Sequence, residues 1–349
     1  MAESADRLRQ NGFKKGFHDA LSTNRFNLRF STENPVASLD LPACFGFWCG
    51  PRTVLAQHGS RVALAFSTNG CVVDMGERRV LWSIEGHTEI LVSAAFSKDG
   101  EYLVVGSADR SFTVWYARSG FMAHRQRVQA PVGAVDFSDD GRLLLTGHYN
   151  LGEIHVWDTD SFLDDALVQL KTLHGPTLAI GRAAFSSDRK SIVASVKQTG
   201  YTSSDAKLCK WNLDTERRRD VECDAISTMA PSQDRTKLLC VYASGKVGVR
   251  NAETLQQEVQ LEACLDGPDR EHQPSPSVAW IGVDLVAVAV HRTLLVWNTA
   301  TNQYKTFDLS HPAVSVCAYG DDKFMLTGAN NQIAFWSVTL MRAAAGAQQ

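Results

Sequence analysis

Tryptophan closes a short, strand-forming run again and again along this 349-residue chain. The runs are Phe112-Thr113-Val114-Trp115, Ile154-His155-Val156-Trp157, Lys207-Leu208-Cys209-Lys210-Trp211, Leu294-Leu295-Val296-Trp297 and Ile333-Ala334-Phe335-Trp336. One further run ends without Trp, in Val247-Gly248-Val249-Arg250. The end positions 115, 157, 211, 250, 297 and 336 are separated by 42, 54, 39, 47 and 39 residues. Short strands recurring at roughly 40–50 residues point to a radial array of small β-sheets.

A second marker keeps the same register. Ala94-Ala95-Phe96-Ser97-Lys98-Asp99-Gly100, Val135-Asp136-Phe137-Ser138-Asp139-Asp140-Gly141 and Ala183-Ala184-Phe185-Ser186-Ser187-Asp188-Arg189 each end an apolar strand in a Ser/Asp/Gly-type turn. Weaker copies begin at Thr228, Ser277 and Val316. Ser and Asp side chains bond to their own backbone in such turns, and Gly accepts a left-handed φ. Another alternating strand follows each turn, and then the Trp-closed strand.

These motifs resemble the WD40-repeat family. Gly86-His87, Phe96 to Gly100, Gly106-Ser107-Ala108-Asp109 and Val114-Trp115 match one whole repeat, and Val156-Trp157-Asp158 supplies a Trp-Asp pair. The resemblance covers residues 25–340 and implies a β-propeller whose repeats are four-stranded blades around a central channel. It also implies a hydrogen-bonded tetrad, carried here by Asp109, His87, Ser107 and Trp115. His311, Thr327, Asn330 and Trp336 would form a degraded copy in the last blade. Such motifs specify fold far more than function.

One more unit fits upstream, with Thr53–Gln57 and Arg61–Phe66 as strands and Phe66 in the Trp place. The expected architecture is therefore all-β, a seven-bladed WD40-type propeller over residues 25–340. A short N-terminal extension (1–24) precedes it and a tail (341–349) follows. The last blade lacks an outer strand. Arg25-Phe26-Asn27-Leu28-Arg29-Phe30 alternates with strand period and is expected to supply it, closing the ring and covering an open sheet edge.

Composition narrows the function classes. A net charge of −3 gives no global field toward nucleic acid or anionic lipid. No run of 18 apolar residues suits a spanning helix. The opening Met1-Ala2-Glu3-Ser4-Ala5-Asp6-Arg7 has no apolar core of the kind a secretory signal needs. The eight Cys show no metal-ligand spacing and read as small buried apolar residues, so no metal or cofactor is expected, and a reducing compartment is. No Gly-x-Ser-x-Gly elbow, phosphate loop or His-Glu-x-x-His pair occurs. Asp136 sits where a propeller enzyme gathers channel acids, but it has no matching partner in the other repeats. The chain is not expected to be an enzyme.

Phe13, Phe17 and Leu21 make an amphipathic stripe beside Lys14, Lys15 and His18. Arg217-Arg218-Arg219 follows Asn212 to Glu216, the usual place of the turn between third and fourth strands. Three arginines can grip a phosphate or carboxylate, although Asp214, Glu216, Asp220 and Glu222 offset them locally. These features carry the alternative reading, a lipid- or nucleic-acid-associated module.

Loop length is the remaining signal. The connection between second and third strands is minimal at Ser107-Ala108-Asp109-Arg110. It grows to Gly147–Glu153 in the next unit and to Lys197–Ala206 in the one after. Both belong to one face, the top, and loops on a rigid scaffold commonly carry binding. His148, Tyr149, Asn150, Tyr201, Arg217, Arg218 and Arg219 are the candidate partner contacts. The sequence thus predicts a non-catalytic protein-interaction scaffold. It would be a WD40 subunit of an intracellular hetero-complex, cytoplasmic with nuclear or ciliary placement as the alternatives, that binds other proteins by its top face, with nucleic acid not a direct ligand.

Overall fold

The computed structural model describes residues 28–30, 37–40, 53–77, 79–164, 166–175, 179–197, 206–261, 276–319, 323–328 and 332–337. The extension 1–24 with its Phe13/Phe17/Leu21 stripe, the tail 341–349, Tyr201 and Asn330 lie outside the described residues. The architecture is an all-β propeller. Its one helical element among the described residues is a 3₁₀ turn at Thr159–Leu163.

The described strands form seven sheets. Sheets 1 to 6 span residues 53–84, 91–127, 132–174, 179–222, 226–261 and 277–308, each with four antiparallel strands in chain order. Sheet 7 takes Ala313–Ala318, Lys323–Gly328 and Gln332–Ser337, and then two strands from the opposite end of the chain. The first strands of consecutive sheets lie against one another, and Ala313–Ala318 of sheet 7 lies against Thr53–His58 of sheet 1.

The strand that pairs with Gln332–Ser337 is Ala37–Asp40, in the register Ala37↔Phe335, Ser38↔Ala334, Leu39↔Ile333 and Asp40↔Gln332. Among the described residues Leu28–Phe30 pairs only with Ala37–Asp40 and lies one place further out. The expectation for Arg25–Phe30 is corrected accordingly. Both segments carry strand character, and alternation alone cannot rank two strands of a hairpin by distance from the sheet.

A second correction concerns sheet 1. Arg61–Phe66 is its second strand and Asn69–Asp74 its third, and Val62 pairs with Val73. In sheet 2 the corresponding pair is Leu103 with Trp115. Val73, not Phe66, therefore holds the Trp place. No aromatic residue marks that strand, whose sequence is Asn69-Gly70-Cys71-Val72-Val73-Asp74.

The core is divided among the sheet interfaces. Phe112, Val114, Phe137, Leu144 and Trp157 cluster between sheets 2 and 3. Leu145, Ile154, Phe185, Ile192 and Trp211 do so between sheets 3 and 4. Similar clusters join sheets 1 and 2, 4 and 5, 5 and 6, and 6 and 7. Alternate residues of every inner strand serve both neighbours, so second and third strands read as nearly continuous apolar runs. In six sheets the first strand bulges near its start, for example between Leu91 and Ser93 and between Val132 and Ala134. The extra residue bends the strand and re-aims its side chains.

The Ser/Asp marker is the turn between first and second strands. Ser97, Ser138 and Ser232 each donate to the Asp two residues on, at 2.5, 2.6 and 2.6 Å. Each also accepts a backbone N–H five residues on, at 2.9 Å. The fourth residue is left-handed: Gly100 at φ 71°, Gly141 at 73°, but Arg189 and Arg235 both at 57°. Gly100 has a further reason to lack a side chain, because a Cβ there would stand 2.4 Å from the His58 ring.

Candidate functional site

Strand alternation puts Thr113 and Trp115 on one side of the third strand of sheet 2. The Trp115 indole N–H donates to Thr113 Oγ1 at 2.8 Å. Thr113 Oγ1 lies 3.0 Å from His87 Nε2, and His87 Nδ1 lies 2.9 Å from Asp109 Oδ2. Once the Thr113 oxygen accepts from Trp115, its proton goes to Nε2, which leaves Nδ1 protonated and donating to Asp109. Ser107 is not the hydroxyl member of this tetrad. Its Oγ donates to the carbonyls of Glu89 and Ile90 and accepts the Asp109 N–H at 3.1 Å, holding the turn that presents Asp109.

Asp109 is further bound by Ser111 Oγ at 2.6 Å, the Thr88 N–H at 3.1 Å and Arg125 Nη2 at 3.0 Å. Burial pushes its carboxyl up, but the hydrogen bonds from Ser111, His87 and Thr88 outweigh it and hold the acid below its usual range. Burial keeps His87 below its ordinary value despite the Asp109 partner. Arg125 comes from the outermost strand and seals the ring; its Nη1 also donates to the Gly86 carbonyl.

Sheet 3 wires the same place differently. Trp157 donates to Thr146 Oγ1 at 3.0 Å, and that oxygen lies 2.9 Å from His148 Nε2. The His148 and His155 rings are 4.2 Å apart. His155 Nε2 reaches Glu153 Oε2 at 3.0 Å, and Glu153 Oε1 meets His174 Nδ1 at 3.3 Å. Burial first, and the neighbouring His155 second, push the His148 imidazole down to about 3.

In sheet 5 the Trp place holds buried Arg250, whose Nε donates to Tyr242 OH and whose Nη1 donates to the Leu255 carbonyl, both at 2.9 Å. In sheet 7 the degraded tetrad does not assemble. His311 is exposed and bonds to its neighbour Ser310, and the Trp336 N–H meets no partner among the described residues.

The predicted contact residues are divided by the structure. His148 ends a strand and is fully buried, so it is no surface contact. The turn after it is Tyr149 to Gly152, one residue longer than Ala108 to Arg110 in sheet 2. Within Gly147–Glu153, Gly147, His148 and Glu153 belong to the flanking strands, so the turn itself is enlarged by one residue. Tyr149 is half-buried with its ring over Gly133, where an added Cβ would stand 2.2 Å away. Asn150 is exposed at the tip, at φ 67°. Of the arginines, only Arg217 lies in the turn; Arg218 and Arg219 belong to the outer strand of sheet 4. All three are exposed, but Arg218 is engaged by Asp220 and the His174 carbonyl, so it is not a free anion ligand.

The most connected polar side chain went unread in the sequence. Arg235, in the turn of sheet 5, reaches back across sheet 4 to sheet 3. Its two Nη atoms grip the Asp136 carboxylate and also donate to the carbonyls of Phe185 and Phe137, each at 3.0 Å. Its Nε lies 2.9 Å from Asp139 Oδ1. These acids hold the guanidinium charged in spite of burial, its pKa raised above the ordinary value. Asp136 is thus consumed by a clamp. The available signal was an Arg at the left-handed position that Gly fills in Ser97–Gly100 and Ser138–Gly141. Among the described residues no three His, Cys, Asp or Glu side chains are placed to hold a metal ion.

Residues 78–116 and 119–158 match the family described as WD domain, G-beta repeat. The chain is similar to Eukaryotic translation initiation factor 3 subunit I of Eremothecium gossypii, with 30% identity over 198 residues, 52% of this chain and 54% of that protein. The same subunit of Vanderwaltozyma polyspora is 25% identical over 204 residues, 54% and 56% of the two chains. Serine-threonine kinase receptor-associated protein of Gallus gallus is 27% identical over 182 residues, 51% of this chain and 47% of that one. The chain spans about half the length of these relatives. Residues 78–158 thus carry two WD40-type repeats, one of them housing the Asp109–His87–Thr113–Trp115 tetrad.

Proposed function

We propose that the seven sheets are the blades of one closed ring, and that this ring is a non-catalytic platform within an intracellular multiprotein assembly. One observation carries the reading. The acids and imidazoles of the tetrad, its sheet 3 counterpart and the Arg235 clamp are bound to one another inside the fold. They act as struts, which leaves the loops above them for recognition. Two similar proteins bear the name of a translation initiation factor subunit, which supports membership of a complex. The partner surface is assigned to the turn bearing Tyr149 and Asn150 together with the Lys197–Ala206 connection, whose sequence includes Tyr201.

Tyr149 packs on Gly133, so Asn150 and Tyr201 are the positions to change. Asn150→Asp keeps a residue that accepts a left-handed φ. Asn150→Asp with Tyr201→Ala, in the full chain, should leave the melting temperature within about two degrees. It should lower co-purification of the main partner at least about fivefold, the scale set by truncating interface aromatics. Undiminished recovery of every partner places the interface elsewhere. Binding that collapses steeply with salt would instead favour the lipid or nucleic-acid reading through Arg217 and Arg219.

A further inference from the structure

An open sheet edge is a template for another strand unless something blunts it. In sheets 1, 2, 3 and 5 the pairing of the outer strand is broken by a bulge, at Val72/Val73, Met122/His124, Val156/Trp157 and Val249/Arg250. In sheet 4 the outer strand is Arg218–Glu222, charged at four of its five positions. In sheet 7 the edge of Gln332–Ser337 is covered by Ala37–Asp40. Sheet 6 differs from all of these. Its outer strand Gln303–Asp308 forms six consecutive pairs with Thr293–Asn298 and no bulge, and Lys305 and Asp308 are its only charges. Among the described residues nothing pairs with its outer side.

The ladder fixes which backbone groups are on offer. The Leu309 N–H donates to the Arg292 carbonyl at 2.7 Å. Antiparallel pairs alternate from there, so Phe307, Lys305 and Gln303 turn their backbone groups inward. Those of Asp308, Thr306 and Tyr304 point out of the sheet. Tyr304 stands opposite buried Trp297 and is 51% exposed, and an exposed Tyr is a favoured interface anchor. Lys305 Nζ lies 5.3 Å from the centroid of the Phe307 ring, and that ring lies 5.6 Å from Trp336. The ammonium is thus held over its own strand.

Lys305 sets the chemistry of the occupant. It falls at a non-hydrogen-bonded position of an added antiparallel strand, where facing side chains come closest. A carboxylate opposite it is favoured, and a like charge is penalised. We propose that the outer edge of sheet 6 is a strand-addition site for an extended segment of a partner protein, antiparallel to Gln303–Asp308 and with an acidic residue facing Lys305. Main-chain hydrogen bonds to Tyr304, Thr306 and Asp308 supply the affinity, and Lys305 and Tyr304 supply the selection.

The probe is the peptide fluorescein-Lys-Val-Thr-Glu-Ile-amide, which in antiparallel register sets Lys against Asp308 and Glu against Lys305. Fluorescence anisotropy with the purified full chain should give a Kd below about 1 mM. The peptide with Lys in place of Glu should bind at least about fivefold more weakly, and Lys305→Glu should exchange the two preferences. Thr306→Pro removes an outward N–H and no bond within the sheet, so melting should stay within about three degrees while affinity falls at least about tenfold. If the Pro variant does not fold, the Lys305→Glu exchange decides. No binding at about 1 mM peptide overturns the proposal. So do binding that survives in a folded Thr306→Pro variant and equal binding of the two peptides. Self-association of the parent chain in sedimentation velocity that Thr306→Pro abolishes would also overturn it, and would give the edge to a second copy. None of these results bears on the partner face at Asn150 and Tyr201, which is read by co-purification.

Discussion

Thr113 carries the hydroxyl that joins Trp115 to His87, and its loss strands two buried groups at once. Thr113→Val keeps the shape and should cost about 1–3 kcal/mol, the penalty for unsatisfied buried partners. Trp115→Ala should cost about 3–5 kcal/mol by opening a cavity between sheets 1 and 2. Ser107→Ala should cost about 1 kcal/mol, since it braces a turn. Urea midpoints rank the three, and a Ser107 variant weaker than the Thr113 variant would reverse the assignment. The signal for Thr113 was present, because residues two apart on a strand share a face. Ser107 came in with the family resemblance as the tetrad hydroxyl, and the structure uses it instead to brace the turn at Asp109. His148 gives a pH dependence. Its folded-state pKa, down to about 3, lies below the unfolded value near 6.5. The folded protein then binds fewer protons than the unfolded one as pH falls. The stability from neutral His148 is intact above about pH 6.5 and is lost progressively toward pH 3. His87, also lowered by burial, adds in the same sense. Urea midpoints between about pH 7.5 and pH 5 should fall, and His148→Asn should flatten the slope. An identical slope in the variant would place the proton uptake elsewhere.

At the scale of elements, the edge of Gln332–Ser337 is covered by Ala37–Asp40, with Leu28–Phe30 outside it. Removing residues 1–31 should therefore take away only the outer strand of the hairpin and leave the Ile333–Phe335 amides protected. Removing residues 1–41 should expose that edge and speed hydrogen exchange there by at least about tenfold, as for other frayed strands. Loss of protection on the shorter deletion would return the closing role to Leu28–Phe30. The outer strand was legible as a strand because Leu28 and Phe30 alternate with polar residues. Its place was not, because pairing partners more than 290 residues apart in sequence are set by where the ring ends meet. The Phe66 reading failed for a related reason. The aromatic landmark was absent from Asn69–Asp74, and the apolar run Cys71-Val72-Val73 at its centre looks like any buried strand.

At the scale of the whole molecule, Arg235 ties three consecutive sheets at their inner ends while holding a left-handed backbone at φ 57°. Arg235→Ala loses the clamp and keeps the strain, and should cost about 2–4 kcal/mol by stranding Asp136. Arg235→Gly loses the clamp but relieves the backbone, and should be about 1 kcal/mol more stable than the Ala variant. Arg235→Lys should not rescue, because an ammonium cannot fork onto one carboxylate and two carbonyls. Thermal melts of the three variants decide it, and equal stability of the Ala variant and the parent would remove the clamp from the architecture.

The stride of Trp115, Trp157, Trp211, Trp297 and Trp336, with the Ser-x-Asp turns between them, determined by itself that this chain is a repeated array of small antiparallel sheets. Strand period, turn chemistry and aromatic spacing are local, and each repeat states them afresh. Tertiary structure decided what depends on contacts between repeats. It chose Thr113 over Ser107, buried His148 while leaving Asn150 at the tip, and seated Tyr149 on Gly133. It paired Arg250 with Tyr242 and carried Arg235 to Asp136, 99 residues earlier. A side chain's partner across a sheet boundary follows from how neighbouring sheets pack, and no periodicity in the sequence encodes that distance.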